Sequence, residues 1–213
     1  MVINVNTERL QELAEVFGCV NGSMPFPYLG LPLGITRPTI NDLSPMVDQI
    51  ERRLKATARF LDYGGRLTLV NSVLSSLPTH YLGSLKIPKT IIKIFDRGRR
   101  HCLWDKNEAS GTSHSLAAWS VVCRPKKHGR LGVINLEIQN CALLLKQLQK
   151  FFCKADIPWV RLVWGLYGDS PPHAQSPRGS FWWQDIFKLV NIYISISKSE
   201  VHNGKMTLFW KDF

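Results

Sequence analysis

In the middle of this chain apolar residues recur every three or four positions, in stretches cut apart by glycine and proline. Ile40, Leu43, Val47, Ile50, Leu54, Ala58 and Leu61 form one stripe, Leu67, Val70, Leu74 and Leu77 a second, and Ile91, Ile92, Phe95, Cys102 and Leu103 a third. That period belongs to helices and commits the region to several amphipathic ones. Pro45 fits the first turn of a helix over about Ser44–Leu61, Tyr63-Gly64-Gly65 breaks it, Pro78 stops the next helix, and a third starts near Pro88.

The flanks are read the same way. Thr7–Phe17 is expected to be a short helix capped by Thr7, and the apolar run Tyr28–Gly34, bounded by glycine and proline, suits a strand or hairpin edge. Lys106–Ser115 reads as a polar loop, Leu116–Cys123 as a short apolar turn and Arg124–Gly132 as a basic loop. Asn135–Phe152 reads as a strong helix and Pro158–Tyr167 as a shorter one. The proline-rich Asp169–Gly179 is the best linker, followed by an aromatic tail with Trp182, Trp183, Phe187, Phe209, Trp210 and Phe213. The expected class is mainly α, with a small β element near the N-terminus.

With 45% apolar residues, a chain of 213 can bury a core. The longest apolar run, Cys141–Leu145, falls far below the ~18 residues that span a bilayer, so no membrane partner is expected. No basic, apolar leader opens the sequence, and Cys19, Cys102, Cys123, Cys141 and Cys153 include no Cys-x-x-Cys pair. The expectation is a nuclear or cytoplasmic, non-secreted chain with reduced thiols.

Charge is concentrated. Of the net +11, residues 1–50 carry −3, residues 51–130 carry +11 and residues 131–213 carry +3. A field of one sign in one segment suits a polyanionic partner, although a solvated basic face has the same composition. Within it, Lys89, Lys93, Arg97 and Arg100 are spaced four, four and three apart, on the helix face opposite Ile91, Ile92 and Phe95, with Lys86 upstream. Cations at one per turn can follow the phosphates of a strand without reading sequence, and acidic partners one turn away are scarce on this face. The helix over 44–61 adds Arg52, Arg53, Lys55 and Arg59. The Gly64-Gly65-Arg66 junction can let a backbone approach a phosphate, and equally it can end a helix. Arg124, Lys126, Lys127, His128 and Arg130 form a second basic cluster, open to phosphate contact, nuclear import or plain solvation.

Catalytic signals are sparse. Two-metal phosphoryl chemistry needs clustered carboxylates, whereas Glu51, Asp62, Asp96, Asp105 and Glu108 are scattered and no Asp-Asp pair occurs. Cys123 with His128, or His101 with Cys102, is at most half a zinc site. No phosphate-binding Gly-x-x-x-x-Gly-Lys loop or Gly-x-Ser-x-Gly elbow is present. No cofactor is expected, and the chain reads as a non-enzyme. Its terminal aromatic residues could stack bases or pack inside.

The order of several motifs is specific when taken jointly. Tyr28-Leu29-Gly30-Leu31-Pro32-Leu33-Gly34 is followed by Arg52-Arg53-Leu54, by Tyr63-Gly64-Gly65-Arg66-Leu67-Thr68-Leu69-Val70-Asn71-Ser72-Val73-Leu74, by Ile87-Pro88-Lys89, and by Cys123-Arg124-Pro125-Lys126-Lys127 with Leu131-Gly132-Val133. This order resembles the C-terminal part of plant LINE-type (non-LTR) retrotransposon reverse transcriptases, from about Pro25 to Phe152 and more weakly beyond. The resemblance implies a helical thumb and connector that hold template and primer. Residues 1–38 would be the end of the palm, 39–168 the thumb and connector, and 169–213 the linker and tail before a zinc-binding module. It further implies that the family's aromatic-x-Asp-Asp motif lies upstream of the stretch present here, so the expected partner is an RNA or RNA–DNA duplex, bound without sequence preference and without catalysis. Arg130 departs from the pattern, standing where the family has a second glycine. A non-functional remnant, a helical protein-binding adaptor and an unrecognised nuclease are the competing readings.

Overall fold

The computed structural model describes residues 7–20, 22, 24–57, 61–104, 117–167 and 179–198. The protein is mainly α-helical, and the described residues hold one two-stranded antiparallel sheet, near the N-terminus. The chain divides into two compact units, Met1–Leu43 and Ser44–Phe213.

The first unit opens with helix α1, Thr7–Phe17, with the bounds its apolar period implies. The N-terminal cap expected of Thr7 lies outside the described residues. At the other end the Cys19 N–H donates to the Ala14 carbonyl at 3.0 Å, closing the last turn. Strands β1 (Phe26–Tyr28) and β2 (Leu31–Leu33) form a hairpin in which Pro27 faces Pro32. Neither proline has an N–H to offer, so the pair stands where no ladder bond is required. Leu29 and Gly30 make the two-residue turn, both at positive φ. Farther on, the Asp42 carboxylate accepts from the Thr39 N–H at 2.7 Å and from its hydroxyl at 2.8 Å, a reciprocal cap on the 3₁₀ turn Asn41–Leu43. These two hydrogen bonds hold the Asp42 carboxyl below the usual carboxylate range.

The second unit begins with α2, Ser44–Thr57. This helix is shorter than the expected Ser44–Leu61, because Leu61 is already outside any helix and Asp62 caps the next one. Helix α3 (Tyr63–Leu69) runs into a π turn over Val70–Leu74. Pro78 does not end the helical run. It precedes α4 (Thr79–Ser84), and its carbonyl accepts from the Leu82 N–H at 2.8 Å. Helix α5 spans Lys89–Trp104, α6 spans Trp119–Val122 and α7 spans Leu136–Phe152. Asn135 caps α7 by accepting from Glu137 and Ile138. Helix α8 covers Pro158–Tyr167.

The sequence reading missed α9 (Phe181–Phe187) and α10 (Val190–Ile196). Both pack on α7 instead of trailing from it. Trp183, Ile186 and Leu189 are buried with Leu144, Leu148, Phe151 and Val163. The Phe151 and Trp164 rings stack at 4.7 Å, and Trp183 meets Phe151 at the same separation. The expected linker lies almost wholly outside the described residues, as do Phe209, Trp210 and Phe213.

Two buried polar side chains tie these helices together. Arg99 is 1% exposed and lies on the apolar side of α5. It donates to the Asp96 carboxylate at 2.8 Å, the Ser75 hydroxyl at 2.9 Å and the Ile134 carbonyl at 2.6 Å. Its guanidinium also lies over the Trp119 ring, 5.4 Å from the centroid. Burial pushes its pKa down while Asp96 works against that shift, and an arginine so placed remains charged. Asn140 of α7 accepts from the Ile87 N–H at 3.0 Å and donates to the Leu82 and Leu85 carbonyls at 2.6 and 2.8 Å. It thereby satisfies the backbone where α4 gives way to α5.

Truncating either side chain strands its partners in the interior. Arg99→Met is expected to cost about 3 kcal/mol and Asn140→Leu about 2 kcal/mol in urea unfolding. Losses below about 0.5 kcal/mol would remove them as structural anchors.

Candidate nucleic-acid interface

Helix α5 keeps the expected cationic face. Lys89, Lys93 and Arg97 are exposed and Arg100 is half-buried, while Ile91, Ile92, Phe95, Cys102 and Leu103 are buried on the opposite side. At 1.5 Å per residue the row from Lys89 to Arg100 extends roughly 16 Å. Lys86 is exposed just upstream. Lys93 and Arg97 make no ion pair among the described residues. Lys89 does have an acidic partner, supplied by another helix: its Nζ is 2.8 Å from Glu137 Oε1 of α7. The hydrogen bond that Lys89 donates to the Glu137 carboxylate, reinforced by that group's charge, raises the Lys89 pKa. Arg100 Nε donates to the Asp96 carbonyl at 3.2 Å, which draws that side chain back along its own helix.

The remaining candidates divide. Arg52 is exposed on α2, which packs against α5, and its Nε donates to the Asp48 carbonyl at 3.3 Å. The Arg53 side chain and Arg59 lie outside the described residues. Lys126 and Lys127 are exposed on a separate 3₁₀ turn, Lys126–His128.

Arg66 departs from the expected surface position. It is 4% exposed, and its Nε donates to the Leu61 carbonyl at 3.1 Å. It lies near the buried Cys102, whose thiol pKa burial pushes up and Arg66 partly pulls back.

Gly64 and Gly65 also differ from the expected helix break, since both lie in the first turn of α3. The Gly65 N–H already donates to Asp62 Oδ1 at 2.7 Å, so a carboxylate of the chain itself takes the place considered for phosphate. A Cβ on Gly65 would stand 2.8 Å from that oxygen and 3.2 Å from Leu61 Cδ2. Close capping by Asp62 therefore accounts for this glycine.

Sequence reasoning missed Arg99, although a signal was there. It falls four residues after Phe95 and four before Leu103, in step with the apolar stripe of α5 and out of step with the cationic row. Trp183, expected in an aromatic tail that could stack bases or pack inside, packs inside, together with Ile186. Of the half-sites weighed for zinc, Cys102 is buried and His101 exposed, and no cluster of three or more metal-ligating side chains occurs among the described residues. No helix among the described residues is long and apolar enough to cross a membrane.

No family model matches the chain. In an alignment of 165 positions that covers 71% of its length, it is 30% identical to a putative ribonuclease H protein of Arabidopsis thaliana. It spans 25% of that protein, so the likeness is to one part of a considerably longer chain.

The local role of Gly65 can be tested against a ligand role. Gly65→Ala is expected to lower unfolding stability by about 1 kcal/mol through the disturbed cap and to leave duplex affinity within twofold of the parent. A tenfold affinity loss with unchanged stability would instead put this backbone at the ligand.

Proposed function

We propose that this chain is a nucleic-acid-binding segment of a retroelement-encoded protein, corresponding to the thumb and connector of a LINE-type reverse transcriptase. It grips an RNA or RNA–DNA duplex through the phosphate backbone and leaves chemistry to other parts of the polypeptide. The observation that carries this reading is the outer face of α5. Lys93 and Arg97 stand one turn apart and exposed, on a helix whose inner side is locked by the buried Arg99. Two exposed cations one turn apart, with no ion pair among the described residues, are suited to phosphate contacts, which supply affinity and register without sequence readout.

The likeness to a putative ribonuclease H protein supports the same direction, because that name denotes action on RNA. The carboxylates, scattered through the sequence with no Asp-Asp pair, favour this binding reading over two-metal chemistry within the chain. In this reading residues 39–168 are the gripping part, and the aromatic residues of α9 serve its core instead of stacking on bases.

Lys93→Gln combined with Arg97→Gln tests it. A plot of log affinity for an RNA–DNA hybrid against log salt is expected to become shallower by about 1.4 to 1.8, the share of two phosphate contacts. An unchanged slope would remove α5 from the interface.

A further inference from the structure

Lys89 differs from Lys93 and Arg97 in being held. Its partner Glu137 is the second residue of α7, where Asn135 Oδ1 accepts the Glu137 and Ile138 N–H groups at 3.0 and 3.1 Å. Glu137 is the acidic residue in the first turn of α7, where the helix dipole favours a negative charge. Lys89 is in the opposite situation. It is the first residue of α5, where the dipole disfavours a positive charge, so it gains from any anion within reach. The two side chains are 78% and 52% exposed, and a pair this open to water exchanges readily.

We propose that the Glu137 carboxylate occupies the place of one backbone phosphate at the N-terminal end of the α5 row, so that a docking duplex must displace it from Lys89. This rests on the reading of α5 as a phosphate-binding face. The free protein then offers Lys93 and Arg97 as ready contacts, and Lys89 joins them only by exchanging one anion for another. Glu137 acts as an internal competitor that lowers affinity and disfavours weak or transient polyanions. It is a positioning residue and touches no ligand in the bound state.

Four proteins test this on one RNA–DNA hybrid at low salt: the parent, Glu137→Gln, Lys89→Gln and the double substitution. Glu137→Gln is expected to bind about twofold to fivefold more tightly, the range an exposed ion pair accounts for. Lys89→Gln removes one contact and should bind more weakly than the parent, and in its background Glu137→Gln should give no gain. A gain that persists without Lys89 would show a general charge effect and overturn the proposal, as would unchanged or weaker binding by Glu137→Gln. If Glu137→Gln melts early, Glu137→Asp keeps the charge but withdraws the carboxylate from Lys89. It must then give a smaller gain of the same sign, and no gain overturns the proposal. Absence of binding by all four proteins overturns the reading of α5 itself, and this proposal with it.

Discussion

A guanidinium inside the second unit fixes how its helices meet. Taking Arg99 out of water carries a large desolvation cost, which is offset only if its N–H groups find partners in good geometry. Asp96, Ser75 and the Ile134 carbonyl meet that demand at the two terminal nitrogens, from α5 itself, from the end of the π turn and from the segment leading into α7, while the buried Nε has no partner among the described residues. Ser75 is available because the π turn places it there: its N–H and its hydroxyl both reach the Val70 carbonyl, at 3.0 and 2.6 Å. A rotation of α5 about its axis would break the contacts to Ser75 and to the Ile134 carbonyl together. The arrangement therefore specifies orientation more than it adds stability, and the orientation it specifies points Lys93 and Arg97 at solvent.

Asn140 imposes a second constraint of the same kind, on backbone instead of charge. The stretch between α4 and α5 is too short to satisfy its own polar groups, and one amide from α7 covers Ile87, Leu82 and Leu85 together. Helices α4, α5 and α7 are thus linked by directional contacts as well as by apolar packing. The outer face of α5 inherits that rigidity. In the phosphate-binding role proposed for this face, a fixed spacing between cations would provide what register there is.

Much of this was legible because it is local. Helices α1, α5, α7 and α8 announce themselves by an apolar period that their own residues complete, and the cationic row on α5 is the complement of the same period. What stayed hidden depends on contacts across the chain. The π turn shifts the register after Val70, which no period of 3.6 reveals, and Pro78 stands where the backbone resumes its helix instead of ending it. Arg66 and Arg99 look like their basic neighbours until burial distinguishes them. The glycine pair looks like a helix break until Asp62 is seen accepting from Gly65. Glu137 is far in sequence from the lysine it neutralises, so the scarcity of acids along α5 itself could not forecast the pairing.

The Trp182 indole N–H donates to the Ser84 carbonyl at 2.7 Å, across 98 positions of sequence. Together with Trp183 and Ile186 of α9, which pack against α7, it makes the early helices rely on a segment synthesised 98 residues after Ser84. While the ribosome is still reading the stretch between α8 and α9, Phe151 and Leu148 lack the cover that Trp183 and Ile186 provide. A nascent polypeptide at that stage exposes a greasy seam and is a natural client for chaperones. For the same reason, dissection of the molecule should keep residues up to at least 196 together with the helices they shield.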